Sequence, residues 1–161
     1  MAQHGILDRE RRPDLTGRII LDADEWALRL VCRLLDMQPQ EFGPCRTLAI
    51  AHRGTLVAGV VYHDYRPQHG DCQLTIASTS PRWAGRETIA YLLQYPFIEL
   101  DCRRVSSTVR SDNARALHMN VRLGLVVEGV RRHFFAPGVD CIEFGMMREE
   151  WAAGPYRWTH G

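Results

Sequence analysis

The 161-residue chain contains no lysine; all 20 of its basic residues are arginine. That absence removes the G-x-x-x-x-G-K-[ST] phosphate loop, and G-x-G-x-x-G is missing as well, so neither a P-loop nor a dinucleotide fingerprint is supported. There is no C-x-x-C pair. Cys32, Cys45, Cys72, Cys102 and Cys141 stand singly, which is the pattern of reduced, buried thiols and not of a disulfide or zinc framework. There is no H-x-x-x-H spacing either. His63 and His69 flank Asp64 and can be drawn as metal ligands, but the segment reads as a solvated hairpin loop. No apolar run approaches the ~18 residues a membrane span needs, and the start MAQHGILDRERRPD lacks the apolar stretch of a signal peptide. These absences predict a cytoplasmic chain with no membrane partner.

What is present is ordinary for one globular domain: 45% hydrophobic and 24% charged residues, with a net charge of only +1. The charge is unevenly spread. Between positions 103 and 132 seven arginines (Arg103, Arg104, Arg110, Arg115, Arg122, Arg131, Arg132) face only Asp112 and Glu128, a local excess of five. Such a segment is either a solvated face or a site for a polyanion, a nucleotide-like ligand or a nucleic acid.

Residues 1–17 are polar and aperiodic and read as a flexible arm. GRIILDADEWALRLVCRLLDM predicts a short strand, a cap at Asp22 or Asp24, and a helix with Trp26, Leu30, Leu34 and Met37 on one face. TLAIAHRGTLVAGVVYHDY predicts a hairpin turning at Arg53-Gly54, and DCQLTIAST a third strand. In the next helix Ile89, Leu92, Leu93 and Phe97 keep helical spacing, and Pro96 should end or kink it. RRVSSTVR is a strand with Val105 and Val109 on a common side. SDNARALHMNVRLG is a short helix capped by Ser111 or Asp112 and stopped by Gly124. LVVEGVRRHFF and CIEFGMMRE are two final strands around the turn APGVD. The predicted order is β-α-β-β-β-α-β-α-β-β, with residues 18–150 as the domain and 151–161 as a C-terminal tail.

The stretch STSPRWAGRETIAYLL carries the strongest chemical signal. The first amides of a helix lack internal partners and lie at the positive end of its dipole. Gly85 lets backbone approach a ligand, and arginine binds phosphate oxygens in bidentate fashion, so Arg82 to Glu87 suits an anion such as a diphosphate. A plain helix-start loop is the alternative, since R-x-x-G alone is common.

The surrounding sequence resembles the GNAT superfamily of acyl-CoA-dependent N-acyltransferases over roughly residues 18–150. NARALHMNVRLGLVVEGVRRHFF, followed by DCIEFGMMREEW, looks like the family's N-x-x-A helix, L-G-[FL] turn, E-G-x-x-R strand and final strand. DYRPQHGDCQLTIASTSPRWAGRETIAYLLQYPFIEL resembles a subgroup frequent in phages and prophages. The resemblance implies an α/β (α+β) fold: a mixed, mostly antiparallel twisted sheet, helices on both faces, split between strands 71–79 and 103–110. It implies acetyl-CoA as cofactor. A bulge around Ala77 and Ser78 would pair with the pantetheine arm, and Arg82 with the amides of Trp83, Ala84, Gly85, Arg86 and Glu87 would cradle the diphosphate. Trp83 would either cover the adenine or pantetheine or pack the loop. Glu87 departs from the family pattern, which has a small residue there. Asn113 would contact the cofactor arm, and the arginine-rich segment would meet the 3′-phosphate of coenzyme A. With an acyl donor in view, the missing lysines have two readings, codon bias in a G+C-rich genome or avoidance of self-acylation.

The implied reaction is direct attack of a primary amine on the thioester in a ternary complex, since no covalent nucleophile is evident. The family's usual acid is a tyrosine seven residues after the motif asparagine; this chain has Asn120 there, which has no useful proton to give. His118 points elsewhere on the helix. The base is open between Glu128, which could instead pair with Arg131 or Arg132, and the segment Tyr62-His63-Asp64. The acceptor is a small-molecule or peptide amine, and Asp64 would suit a cationic one. The aromatic tail WAAGPYRWTHG docks on its own domain or on a second subunit of a homodimer. Two rival functions stay open: a GNAT-like binding module without turnover, motivated by Glu87 and Asn120, and a phage-associated protein that works on nucleic acid.

Overall fold

A computed structural model describes residues 18–157. The elements follow the sequence-predicted order: β1 (Ile19–Ile20), α1 (Asp24–Leu35), β2 (Cys45–His52), β3 (Thr55–Arg66), β4 (Asp71–Ser78), α2 (Arg86–Gln94), β5 (Arg104–Arg110), α3 (Ala114–Leu123), β6 (Val126–Ala136) and β7 (Val139–Met147). The short helix α4 (Arg148–Ala153) was not foreseen, nor were the 3-10 turns at Pro39–Phe42 and Pro81–Trp83 or the π turn at Tyr95–Glu99. The arm at 1–17 and positions 158–161 of the tail lie outside the described residues. The strands form a seven-stranded sheet in the order β1-β2-β3-β4-β5-β7-β6, with β4 and β5 its parallel pair.

Helix α1 lies on one face of the sheet, and its buried stripe is Ala27, Leu30, Val31 and Cys32. The sequence reading chose Trp26, Leu30, Leu34 and Met37 instead; Leu34 is exposed and Trp26 and Met37 are half-buried. The rotation follows from close approach. A Cβ on Gly59 of β3 would come 2.7 Å from Val31 Cγ2 and 2.9 Å from the Ala27 carbonyl oxygen, so small residues face the sheet. Ala23, not an aspartate, is the N-cap, while Asp24 accepts from the Thr47 hydroxyl at 2.9 Å and ties α1 to β2.

Helix α2 and the turn that follows it cover the opposite face, burying Ile89, Leu92 and Leu93 of the helix and Phe97 of the turn completely in one core with Val60, Leu74 and Val105. The α-helix ends at Gln94, just before Pro96, as the proline predicts. Residues Tyr95–Glu99 widen into a π turn, in which the Leu100 amide reaches the Tyr95 carbonyl at 3.0 Å. Arg53 and Gly54 both take positive φ, 50° and 73°, as the predicted two-residue hairpin requires. Trp151 on α4 stacks on Phe97 with ring centroids 4.9 Å apart, so this part of the tail docks on its own domain.

Candidate active site

Strands β4 and β5 start together and then part. They share three rungs, Asp71–Arg104, Cys72–Val105 and Gln73–Ser106. Beyond Gln73, β4 pairs with β3 alone, and beyond Ser106, β5 pairs with β7 alone. The wedge between them lines one side with β4 backbone from Leu74 to Ser78. The register of β4 on β3 is regular from Gln73 to Ser78. The predicted bulge at Ala77 and Ser78 is therefore absent. The extra residues sit on β3 between His63 and Arg66, where Asp64 takes a φ of 47°. Ala77 is buried beneath α1 with Val31 and Val61, and Ser78 is half-buried. The end of α1 and the β5–α3 junction face each other across a cleft of about 650 Å³, lined by Leu35, Asp36, Arg110 and Asn113 among others.

The start of α2 meets the demands placed on it in a different register. Pro81–Trp83 is a 3-10 turn, and the amides of Ala84 and Gly85 already donate to the carbonyls of Pro81 and Trp83. Gly85 is the N-cap and no side chain caps the helix. The amides of Arg86, Glu87 and Thr88 are thus the helix-start donors without an internal partner among the described residues; Arg86 and Glu87 belong to the predicted Trp83–Glu87 set, and Thr88 is new. Trp83 is buried in the core, which settles its side chain as packing. Arg82 is exposed and without a partner among the described residues, whereas Arg86 Nε donates to the Pro155 carbonyl at 3.2 Å. Glu87 is exposed and pairs with neither arginine. Two groups that no sequence pattern singled out complete the corner. The Arg18 guanidinium lies against Gly85, and the Thr88 hydroxyl is buried without a hydrogen-bond partner among the described residues.

Asn113, not Ser111 or Asp112, caps α3: its Oδ1 accepts from the Ala116 amide at 3.1 Å. Asp112 is held by Arg110 through two contacts of 3.0 and 2.9 Å, and Ser111 Oγ accepts from the Asp140 amide. Asn120 is buried, and its Nδ2 donates to the Ala116 carbonyl at 2.8 Å. Glu128 occupies a bulge on β6 and is bound by Arg104 at 2.5 Å, not by Arg131 or Arg132. Arg104 also meets Asp71 at 3.3 Å, and Arg131 pairs with Glu143. Arg104, Arg110 and Arg131 therefore have carboxylate partners, and the arginine-rich segment is less basic in space than in sequence.

Tyr62 and His63 point to opposite faces. Tyr62 donates to the Leu92 carbonyl at 2.7 Å from full burial, which pushes its phenol well above the ordinary value. His63 lies in strand β3, not in the solvated loop predicted for it, because β3 runs on to Arg66. Its Nε2 is 2.8 Å from Thr75 Oγ1 on β4, its Nδ1 is 3.2 Å from Asp64 Oδ2, and Phe42 stands edge-on at 5.1 Å. Burial lowers its pKa and the Asp64 carboxylate opposes that shift in part.

The split sheet, the bare helix start beside it and the asparagine-capped helix that follows decide the fold. The chain has the GNAT fold. Among solved structures, the chain is similar to the dodecameric spermidine N-acetyltransferase of Vibrio cholerae, at a TM-score of 0.58 and 19% identity over 70% of each chain. It is also similar to a point mutant of that enzyme, SpeG, at a TM-score of 0.62 and 17% identity over 79% of this chain and 91% of the other. At such identities the likeness concerns the fold. In sequence it is 30% identical over 111 residues to the SPbeta prophage-derived N-acetyltransferase YokL of Bacillus subtilis (strain 168). That match spans 65% of this chain and 63% of the relative's length, and it agrees with the prophage-type resemblance seen in the sequence. No family model matches the chain.

Proposed function

We propose that this chain, which has the GNAT fold, is a cytoplasmic N-acetyltransferase that moves the acetyl group of acetyl-CoA to a primary amine by direct attack. One observation carries the reading: β4 and β5 separate after Gln73–Ser106, and the wedge they leave runs toward the unpartnered amides of α2. An extended acyl-pantetheine arm fits such a wedge, because β4 has free backbone groups on that side. A diphosphate fits the corner beyond it. Three helix-start amides, Arg82, the Arg18 guanidinium over Gly85 and the orphaned Thr88 hydroxyl are all donors, and among the described residues only Glu87 opposes an anion there. Asn113 has its oxygen on Ala116 and keeps its amide hydrogens for the arm.

Bound acetyl-CoA would supply an activated thioester, and the protein's own part is positioning. Strand β4 holds the acyl chain, the α2 start holds its anionic end, and the amine enters from the other side of the wedge. Asn120 is limited to its second N–H, because the first is on Ala116. It can steady a sulfur but not protonate it. The names of the structural neighbours make small polyamines the first acceptors to try.

Release of free thiol from acetyl-CoA, followed over a panel of polyamines, amino sugars, amino acids and peptides, tests the reading. Amine-dependent thiol release supports it. Saturable acetyl-CoA binding with no release over the whole panel would instead support a binding module, the reading that the amide at Asn120 favours.

A further inference from the structure

Thr75 is the first residue of β4 on the α1 face beyond the last rung shared with β5. Gln73 is paired with Ser106; Leu74 points into the α2-side core; Thr75 follows on the same face as Ala77 and Gln73. Its hydroxyl thus stands at the vertex of the wedge, half-buried, where the proposed thioester and amine would meet. Behind it the hydrogen bonds are continuous. Thr75 Oγ1 is 2.8 Å from His63 Nε2, and His63 Nδ1 is 3.2 Å from Asp64 Oδ2. Asp64 has only an acceptor to offer, so Nδ1 carries the proton and donates to it. Nε2 is then the acceptor, and the Thr75 hydroxyl donates to Nε2. The chain Thr75–His63–Asp64 ends in a cleft of about 740 Å³, which Asp64 helps to line together with Tyr65 and Arg66.

We propose that this chain is the proton acceptor of the transfer reaction, with the Thr75 hydroxyl meeting the amine and His63 storing the proton. The inference rests on the acetyltransferase reading above. As the amine nitrogen bonds to the thioester carbonyl carbon, its N–H passes a proton to Thr75 Oγ1 while the Thr75 proton moves to His63 Nε2. The C–S bond breaks, the coenzyme leaves as thiolate, and the thiolate takes a proton from solvent. Thr75 ends unchanged, and the imidazolium, steadied by Asp64, gives its proton to water in the cleft.

The surroundings of His63 suit the task. Its register partners are Cys45 on β2 and Gln73 on β4, and Phe42 covers the ring edge. The Cys45 thiol is pushed up by burial, so it stays neutral and leaves Asp64 as the charged group beside the imidazole. Burial keeps the imidazole neutral near pH 7 and ready to accept. Glu128 cannot compete easily, because Arg104 holds its carboxylate at the closed end of the wedge.

The test is the pH–rate profile of acetyl transfer for the wild type, T75V, T75S and H63Q, with acetyl-CoA binding measured on each. T75V and H63Q should lose roughly 100-fold or more in kcat, bind acetyl-CoA as the wild type does, and H63Q should lose the acidic limb of the profile. T75S should recover most of the rate lost in T75V, which a packing role for the methyl group would not predict. An active wild type whose H63Q and T75V variants keep both rate and acidic limb overturns the relay alone. A wild type that binds acetyl-CoA and acetylates no amine at any pH overturns the acetyltransferase reading, and the relay falls with it.

Discussion

The Asn120 side chain donates to the Ala116 carbonyl one turn back, at 2.8 Å, from a buried position. The same residue's backbone carbonyl accepts from the Gly124 and Leu125 amides at the left-handed end of α3. Asn120 thus binds at both ends of a helix turn. Asn120→Ala should lower stability by about 1–2 kcal/mol in a denaturant titration and change turnover by less than about tenfold. A loss beyond 100-fold in kcat, with stability intact, would return Asn120 to the chemistry.

Among the described residues, Glu87 is the one carboxylate at the α2 start, and it repels an anion. An exposed carboxylate in the first turn of a helix interacts with the dipole, and a phosphate beside it meets like charge. Glu87→Gln should tighten acetyl-CoA binding roughly two- to fivefold, read by calorimetry at low salt, with the gain shrinking as salt rises. Weaker binding in the variant would mean that Glu87 takes part in holding the ligand through another group.

Gly59 marks where α1 rests on the sheet. A methyl group there would meet Val31 Cγ2 at 2.7 Å and the Ala27 backbone at 2.9 Å, and backbone cannot move aside as a side-chain tip can. Gly59→Ala should destabilise the fold by about 1–3 kcal/mol, seen as a lower Tm. An unchanged Tm would show that α1 is free to lift from β3.

The thiols order themselves by burial. Burial pushes Cys72 up to about 12 and Cys102 up to about 11 from the usual 9.0. Both are held neutral in the fold, so their contribution to stability is complete below pH 9.0 and is lost as pH rises toward those values. A thiol reagent at pH 8 should label half-buried Cys45 first and reach Cys72 and Cys102 at the rate of unfolding. Equal labelling rates for Cys45 and Cys72 in the native protein would contradict that order.

Much of the fold was legible because local signals agreed with it. Arg53-Gly54 supplied the hairpin, Gly124 the end of α3, and Ile89, Leu92, Leu93 and Phe97 the buried side of α2 and the turn after it. The stripe of α1 was misread because hydrophobicity favours Trp26 and Leu34, whereas the sheet at Gly59 admits only Ala27 and Val31. Helix α4 was hidden in a segment that reads equally well as a strand end. The split of the sheet agrees with what the family resemblance implied, and Arg82, Gly85 and Arg86 stand at the start of α2 where the sequence put them. Arg18 and Thr75 did not follow from pattern, since each reaches the site through contacts distant in sequence, and Thr88 did not because nothing local shows that its hydroxyl is buried without a partner among the described residues. The partner of Glu128 was also out of reach: Arg104 lies on β5, two strands away from β6, and a bulge brings them together.

The most direct measurement is calorimetric titration of the protein with acetyl-CoA, beside Arg82→Ala. The account predicts saturable binding in the micromolar range that weakens at least tenfold in the variant, about 1.4 kcal/mol, because Arg82 is a guanidinium without a partner among the described residues, next to the free amides of α2. No binding at millimolar acetyl-CoA, or equal affinity for the two proteins, would contradict the placement of the diphosphate at the start of α2.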